Sequence, residues 1–482
     1  MLTSIHSSAG NSLCPLQLPE VIAHIGLFLT GSDRVNALLV NRTWHAAIEP
    51  LLWTSVQLPT AWNIQRLPHR CPSAKTVRRN CHFMRYLVLP ESPLLPELIP
   101  GCNQLRELEL HDLCRGVIPL LYQNAHTLRV LSRLASVHQP QRNVARDWGL
   151  FEAIASLAHL EDLRLERLAV HEEESEAFIK TCRQLHALNL TLCVWTLPPL
   201  PDQQTSPTDF TNIQQLTLVK NKMTPMQELQ FASRCPNVRF MQWKTTRQLS
   251  EEQRPLVQGL LQDRLLHLGT LAIAQSSLED IDIATIIKGL SALVNLHASY
   301  TRFGPQSVRA IVEHRSNLQE LDIRNCTSTE PLSEIILTHC PDLQTVGCDQ
   351  HDIRSPRQRP WACKRLQKLH TTIVAVGGWQ VSEEDAMEDR IRAHDEMYSQ
   401  LAELTELTTL ELGCASVIPF SDTVVFQLTM AMGLGKLETL TKLEHFTIGG
   451  AYSKGLGEEE RAWMEKHWPS VEILSSADWV DM

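Results

Sequence analysis

The chain has 482 residues, 43% hydrophobic and 20% charged, which excludes an intrinsically disordered chain and supplies material for a sizeable core. Lys and Arg number 44 against 54 Asp and Glu, and the formal net charge of −10 argues against a nucleic-acid binder, which needs a basic face to displace counterions. No run of about 18 apolar residues occurs, so no membrane span is expected.

Residues 1–15 carry no Lys or Arg ahead of a weak apolar stretch and read as a disordered start, not a secretory signal. Thirteen Cys without such a signal read as reduced thiols, which points to the cytoplasm or nucleus, and an odd count fits no disulfide framework.

Residues 16–56 predict three short helices. Pro19 opens the first, where its missing N–H costs nothing. Leu18, Val21, Ile22, Ile25 and Leu29 then recur at helical spacing. Gly31 is expected to stop that helix, and Ser32 or Asp33 to cap the next. Asn41 to Pro50 gives the third. Three helices in about 40 residues are too few to bury this apolar stripe by themselves. Residues 57–80 read as a connector.

From residue 81 to 482 a short phrase, apolar-x-x-Leu-x-Leu, recurs. Clear copies begin at Leu105, Leu160, Leu185, Ile213, Leu318, Leu407 and Leu443. Weaker ones begin at Met84, Val238, Leu268, Leu293, Leu343, Leu366 and Val471, and the copy near Leu128 is irregular. Leu293, Leu318 and Leu343 are 25 residues apart, as are Leu160 and Leu185, and Ile213 and Val238. A period of roughly 20–29 residues with this phrase is the signature of leucine-rich repeats. Alternation in a strand sends the Leu pair to one side and the x residues to the other. One strand cannot bury its face alone, so stacked parallel strands, each followed by a helix, build the core together.

The linking segments agree. Glu172 to Cys182 and Pro331 to Cys340 read as amphipathic helices. Cys102, Cys182, Cys235 and Cys340 each stand three residues ahead of a strand-opening apolar residue, and they read as small buried hydrophobes rather than metal ligands. Three stretches break the rhythm. Pro198 to Pro207 is a Pro-rich loop. Asp349 to Lys368 has net charge +4, through Arg354, Arg357, Arg359, Lys364, Arg365 and Lys368. Residues 383–406 form an inserted helix-like stretch of net charge −7. Both charged stretches read first as solvated faces, with docking on neighbouring repeats or on a partner as the other readings.

The N-terminal segment resembles an F-box. It has Leu18-Pro19-Glu20-Val21 at its start, Leu39-Val40-Asn41-Arg42-Thr43-Trp44 in its middle and Leu52-Trp53 at its close. Asn41 stands where the family pattern often has Cys. With the repeats behind it, the chain resembles the F-box/leucine-rich-repeat family. The resemblance implies an α/β fold: a leucine-rich-repeat solenoid with a curved parallel sheet and outer helices, preceded by a three-helix F-box. It implies the substrate receptor of an SCF-type cullin–RING ubiquitin ligase, whose F-box docks on a Skp-type adaptor while the repeats hold a protein target. Carried over by motif position, Leu18, Pro19, Ile22, Ile25, Leu29, Val40 and Trp44 are expected to face the adaptor, with Val21, Leu38 and Ile48 holding the helices together. The alternative is a ligase-independent interaction scaffold with a vestigial F-box.

Target choice is expected on the concave strand face, from Glu107, Glu109, Asp162, Arg164, Glu166, Gln242, Lys244, Glu320, Asp322 and Arg324. The early strands look acidic, so a basic target segment is expected there. No enzyme is expected, and no cofactor. Gly433-Leu434-Gly435-Lys436 lacks phosphate-loop spacing, and no His-Glu-x-x-His or Gly-x-Ser-x-Gly motif occurs. A hydrolase with an unrecognised site is a third, weaker reading. Cys340, Cys348, His351 and Cys363 match no zinc motif.

Overall fold

The structure is a computed structural model that describes residues 18–58, 74–89, 100–111, 116–135, 149–195, 210–314, 317–326, 332–353, 360–375, 383–413, 424–449 and 456–475. The expected N-terminal tail, most of the connector, the Pro198–Pro207 loop and Arg354, Arg357 and Arg359 lie outside these residues. The chain divides into two compact units, Met1–Ser206 and Pro207–Met482.

The first unit opens with helices α1 (Pro19–Phe28), α2 (Gly31–Ala37) and α3 (Arg42–Thr54). Pro19 occupies the first helical turn, as its geometry favours. The first helix ends before Gly31, which instead begins the second, and the cap is Thr30 rather than Ser32 or Asp33. Its Oγ1 accepts from the Asp33 N–H at 3.3 Å. Asn41 caps the third, its side chain accepting from the Trp44 N–H at 3.0 Å. Ile22, Ala37 and Ile48 form the module's interior. Gly26 lets α1 lie close on α3, since a Cβ there would meet Ile48 Cδ1 at 2.4 Å and Leu51 Cδ1 at 2.6 Å.

The third helix runs directly into strand β1 (Ser55–Gln57), the first rung of a parallel sheet. The rungs that follow are β2 (Tyr86–Leu89), β3 (Glu107–Leu110), β4 (Val130–Ala135), β5 (Asp162–Glu166) and, beyond the short strand β6 (Ala169–Val170), β7 (Ala187–Thr191). Strand β8 (Val194–Trp195) pairs with β6 in a small side ribbon. Leu87, Leu108, Leu131, Leu163 and Leu188 are register partners, and all are buried. The irregular copy near Leu128 does form a rung, with a register shift between Leu131 and Leu134.

The second unit repeats the plan. Its rungs are β9 (Gln215–Val219), β10 (Phe240–Lys244), β11 (Thr270–Ala272), β12 (Asn295–His297), β13 (Glu320–Asp322), β14 (Thr345–Asp352), β15 (Lys368–Ala375) and β16 (Thr409–Leu412). The two-residue β17 (Val424–Val425) joins β15 antiparallel, while β18 (His445–Ile448) and β19 (Glu472–Ser475) continue the parallel row from β16. Leu216, Met241, Leu271, Leu296, Leu321, Val346, Leu369, Leu410 and Phe446 make the matching buried stack. Burying each such side chain contributes about 1.5–3 kcal/mol. Cys102, Cys182, Cys235 and Cys340, each three residues ahead of a strand-opening apolar residue, are fully buried, as read.

Left-handed residues close several rungs. Arg167, Leu192, Lys220, Gln275, Tyr300 and Asn325 all have φ between 50° and 59°. This costs a non-glycine residue energy. Partial compensation comes from the ladder: the Gln275 N–H donates to Ser299 O at 2.9 Å and that of Tyr300 to Arg324 O at 2.8 Å.

The acidic stretch is one helix, Glu383–Ala402, with Ala393, Met397, Tyr398 and Leu401 fully buried. It is docked on its neighbours rather than merely solvated. Lys364 pairs with Glu403, Lys436 with Asp395, and Lys442 with Glu406 at 2.6 Å. Arg365 of the basic stretch reaches Asp342 at 3.6 Å.

Candidate functional site

The helical module presents the first candidate surface. Its inward stripe is short, because α1 and α2 are short. Several apolar residues off that stripe are in solvent. Phe28 is 78% exposed and Leu39 82%, with Leu18, Leu27, Val35 and Val40 also exposed. Exposed apolar side chains of this size on one small module make it a candidate contact surface.

The motif-derived residues divide over this geometry. Leu18, Pro19 and Val40 are exposed, and Ile25 is half-buried. Leu29 and Trp44 are half-buried and lean on the interior cluster. Ile22 is corrected: at 0% exposure it sits between α1, α2 and α3 and holds them together, as Ile48 does. Sequence reasoning passed over Leu27, Phe28, Val35 and Leu39. The signal for two of them was present, since Gly26-Leu27-Phe28-Leu29 is apolar around the whole helix instead of along one face.

The second candidate surface is the strand face opposite the leucine stack. In the first unit Glu107 and Arg164 are exposed, and Glu109, Asp162 and Glu166 half-buried. The acidic character foreseen there is largely answered from within. Arg164 grips Asp162, with Nη2 donating to Oδ2 at 2.8 Å, and the carboxylate holds the guanidinium more firmly charged. Tyr86 Oη donates to Glu109 Oε2 at 3.2 Å, and His111 Nε2 lies 3.0 Å from Glu109 Oε1. Arg167 Nε stands 3.6 Å from Glu166.

In the second unit Gln242 is exposed, and Lys244, Glu320, Asp322 and Arg324 are half-buried. Lys244 donates to Gln275, and its own ammonium is pushed down by desolvation and by Lys220. Arg324 donates to both oxygens of Asp322, at 2.9 and 3.1 Å. These contacts order the side chains of an open face and leave it mixed in charge. Among the described residues no group of His, Cys, Asp and Glu could hold a metal ion, and no helix is long and apolar enough to cross a membrane.

No protein-family model matches this chain, and no curated protein sequence matches it. Solved structures do show likeness at low identity. An internalin, inlF, from Listeria monocytogenes is 12% identical over 89% of this chain and 94% of its own, with a TM-score of 0.38. A TLR13–ssRNA13 complex is 14% identical over 76% of this chain and 58% of its own, with a TM-score of 0.40. The fold assignment itself rests on the chain's own strand register. By its parallel rungs, buried leucine stacks and helical returns, the fold is that of leucine-rich repeats.

Proposed function

We propose that the chain is a substrate-recognition subunit of an SCF-type ubiquitin ligase. Its N-terminal helices bind a Skp-type adaptor, and its repeats hold a protein target. The receptor contributes proximity: it raises the effective concentration of the target beside the ubiquitin-charged enzyme. One observation carries the reading. The F-box-like module leaves Phe28, Leu39 and Val40 open to solvent, although each would contribute about 1.5–3 kcal/mol if covered.

The test is co-purification of the full chain with a Skp-type adaptor. Phe28→Asp with Leu39→Asp alters only exposed side chains, so the module stays folded. We expect capture to fall at least tenfold, since about 1.4 kcal/mol suffices for that. If the wild-type chain captures no adaptor, the receptor reading fails and the ligase-independent scaffold takes its place.

A further inference from the structure

The residues just ahead of the first unit's rungs are in register too. Tyr86, Glu107 and Val130 pair across β2, β3 and β4. Immediately before them stand Arg85, Arg106 and Arg129. The Arg106 N–H donates to Arg85 O at 2.8 Å, and the Arg129 N–H to Arg106 O at 2.8 Å. Neighbouring strands lie about 4.8 Å apart, so the three guanidinium stems leave the sheet edge at that pitch. The same position is Glu161 before β5 and His186 before β7, which confines the row to three rungs.

The three arginines line a cavity of about 310 Å³ with Gln104, His126, Thr127 and His159, and among the described residues no acidic one lines it. Arg85 is fixed on one edge, where Nη1 donates to the carbonyls of His82 and Met84 at 3.3 Å and of Gln104 at 3.5 Å. Arg129 reaches Glu161 at 3.3 Å, an exposed pair of the kind that contributes little. Arg106 is exposed, and its side chain has no partner among the described residues. Like charges crowded at one edge repel, and an anion relieves the repulsion.

We propose that this edge is a binding site for an anion carrying two or more neighbouring phosphate groups. The guanidinium fork matches phosphate oxygens in pairs, which a lysine cannot do. Thr127 adds a hydroxyl, and His126 and His159 add ring donors around the same space. The small volume and the chain's net charge of −10 favour a compact anion over a nucleic-acid backbone. The phosphates could be carried by a free oligophosphate or by a protein segment phosphorylated at adjacent serines. The site is independent of the ligase reading.

The experiment is calorimetric titration of the full chain in low salt, with sodium tripolyphosphate in one arm and a peptide bearing two adjacent phosphoserines in the other. Binding in the micromolar range is expected in at least one arm. Arg106→Gln with Arg129→Gln weakens it at least tenfold. Arg106→Lys keeps the charge but loses the fork, and weakens it about threefold. Arg239→Gln, at the same edge position before β10 but without arginine neighbours, leaves it unchanged. Binding of tripolyphosphate identifies a free anion, whereas binding of the peptide alone identifies a protein-borne one; either upholds the site. Absence of binding in both arms at millimolar concentration overturns it. So does equal binding by the double variant, or tighter binding of a short nucleic-acid duplex than of either probe.

Discussion

Glu228 is 1% exposed, and the Trp243 indole N–H donates to its Oε2 at 2.7 Å. Burial pushes its carboxyl up to about 7, against an ordinary value near 4.5. The folded state therefore holds this proton over a pH range in which the unfolded chain has released it. Stability from this group is full below about pH 4.5 and is lost as pH rises through 7, by about 2–3 kcal/mol. Glu228→Gln keeps an acceptor for Trp243 and cannot ionise. Urea denaturation at pH 8 is expected to find the variant more stable by about that amount, and at pH 4 the difference is expected to vanish. Equal gaps at both pH values would show that folding does not shift the Glu228 carboxyl. Nothing in Pro225-Met226-Gln227-Glu228-Leu229 announces this, since a glutamate ordinarily faces water and its burial is decided by a tryptophan 15 residues later. Ile22 and Phe28 teach the same point. Both are apolar and both sit on one helix, yet only the packing of α3 against α1 determines which is interior.

Helix Asp280–Gly289 shows how successive repeats are fastened. Asp280 reaches forward and accepts from the N–H groups of Gly304, Gln306 and Ser307, each at 2.9 Å, and from Ser307 Oγ at 2.6 Å. It thus caps the next helix, Pro305–His314, and a Cβ at Gly304 would meet its carboxylate at 2.8 Å. Asp282 reaches back and accepts from Arg254 Nε at 2.8 Å. Asp280→Ala is expected to cost about 2 kcal/mol in urea unfolding, because three N–H groups lose a charged acceptor together. A loss below about 0.5 kcal/mol would mean that water replaces the carboxylate. The ladder itself was legible, because each buried Leu sits a fixed 25 residues from its partner over several rungs. The fasteners were not: the residues they join lie 24 to 28 positions apart and are ordinary polar types with no shared pattern. The arginine edge escaped for the same reason, since three separate phrases must be laid side by side before it exists.

The two units differ in how they hold protons. His351 and His394 both belong to Pro207–Met482, and burial holds both imidazoles below their ordinary range. His394 stacks on Phe426, with Nδ1 2.8 Å from Arg390 O, while Nε2 accepts from the Gln427 N–H at 3.0 Å. Protonating Nε2 breaks that last bond, which ties the Glu383–Ala402 helix to the segment after β17. His351 meets Ser333 Oγ at 2.9 Å, and Glu334 lies 3.3 Å from its Nε2. That carboxylate is itself pushed up by burial and already accepts from the Trp361 indole, so it does little to favour an imidazolium. For both groups the unfolded state binds a proton that the folded state refuses. Their stability is present above an ordinary histidine pKa of about 6.5 and declines as pH falls below it. Acid is therefore expected to loosen the contacts around His351 and His394, even as Glu228 in the same unit gains stability by taking up its proton. Hydrogen exchange of the full chain, compared at pH 7 and pH 5 after correction for intrinsic rates, is expected to show protection lost mainly in the peptides around His351 and His394. His394→Gln retains a donor and an acceptor but cannot titrate, so it should narrow the gap between the two pH values in the peptides around Arg390 and Gln427. Uniform loss across Met1–Ser206 and Pro207–Met482, or an unchanged gap in the variant, would assign the acid response to the surface charges instead.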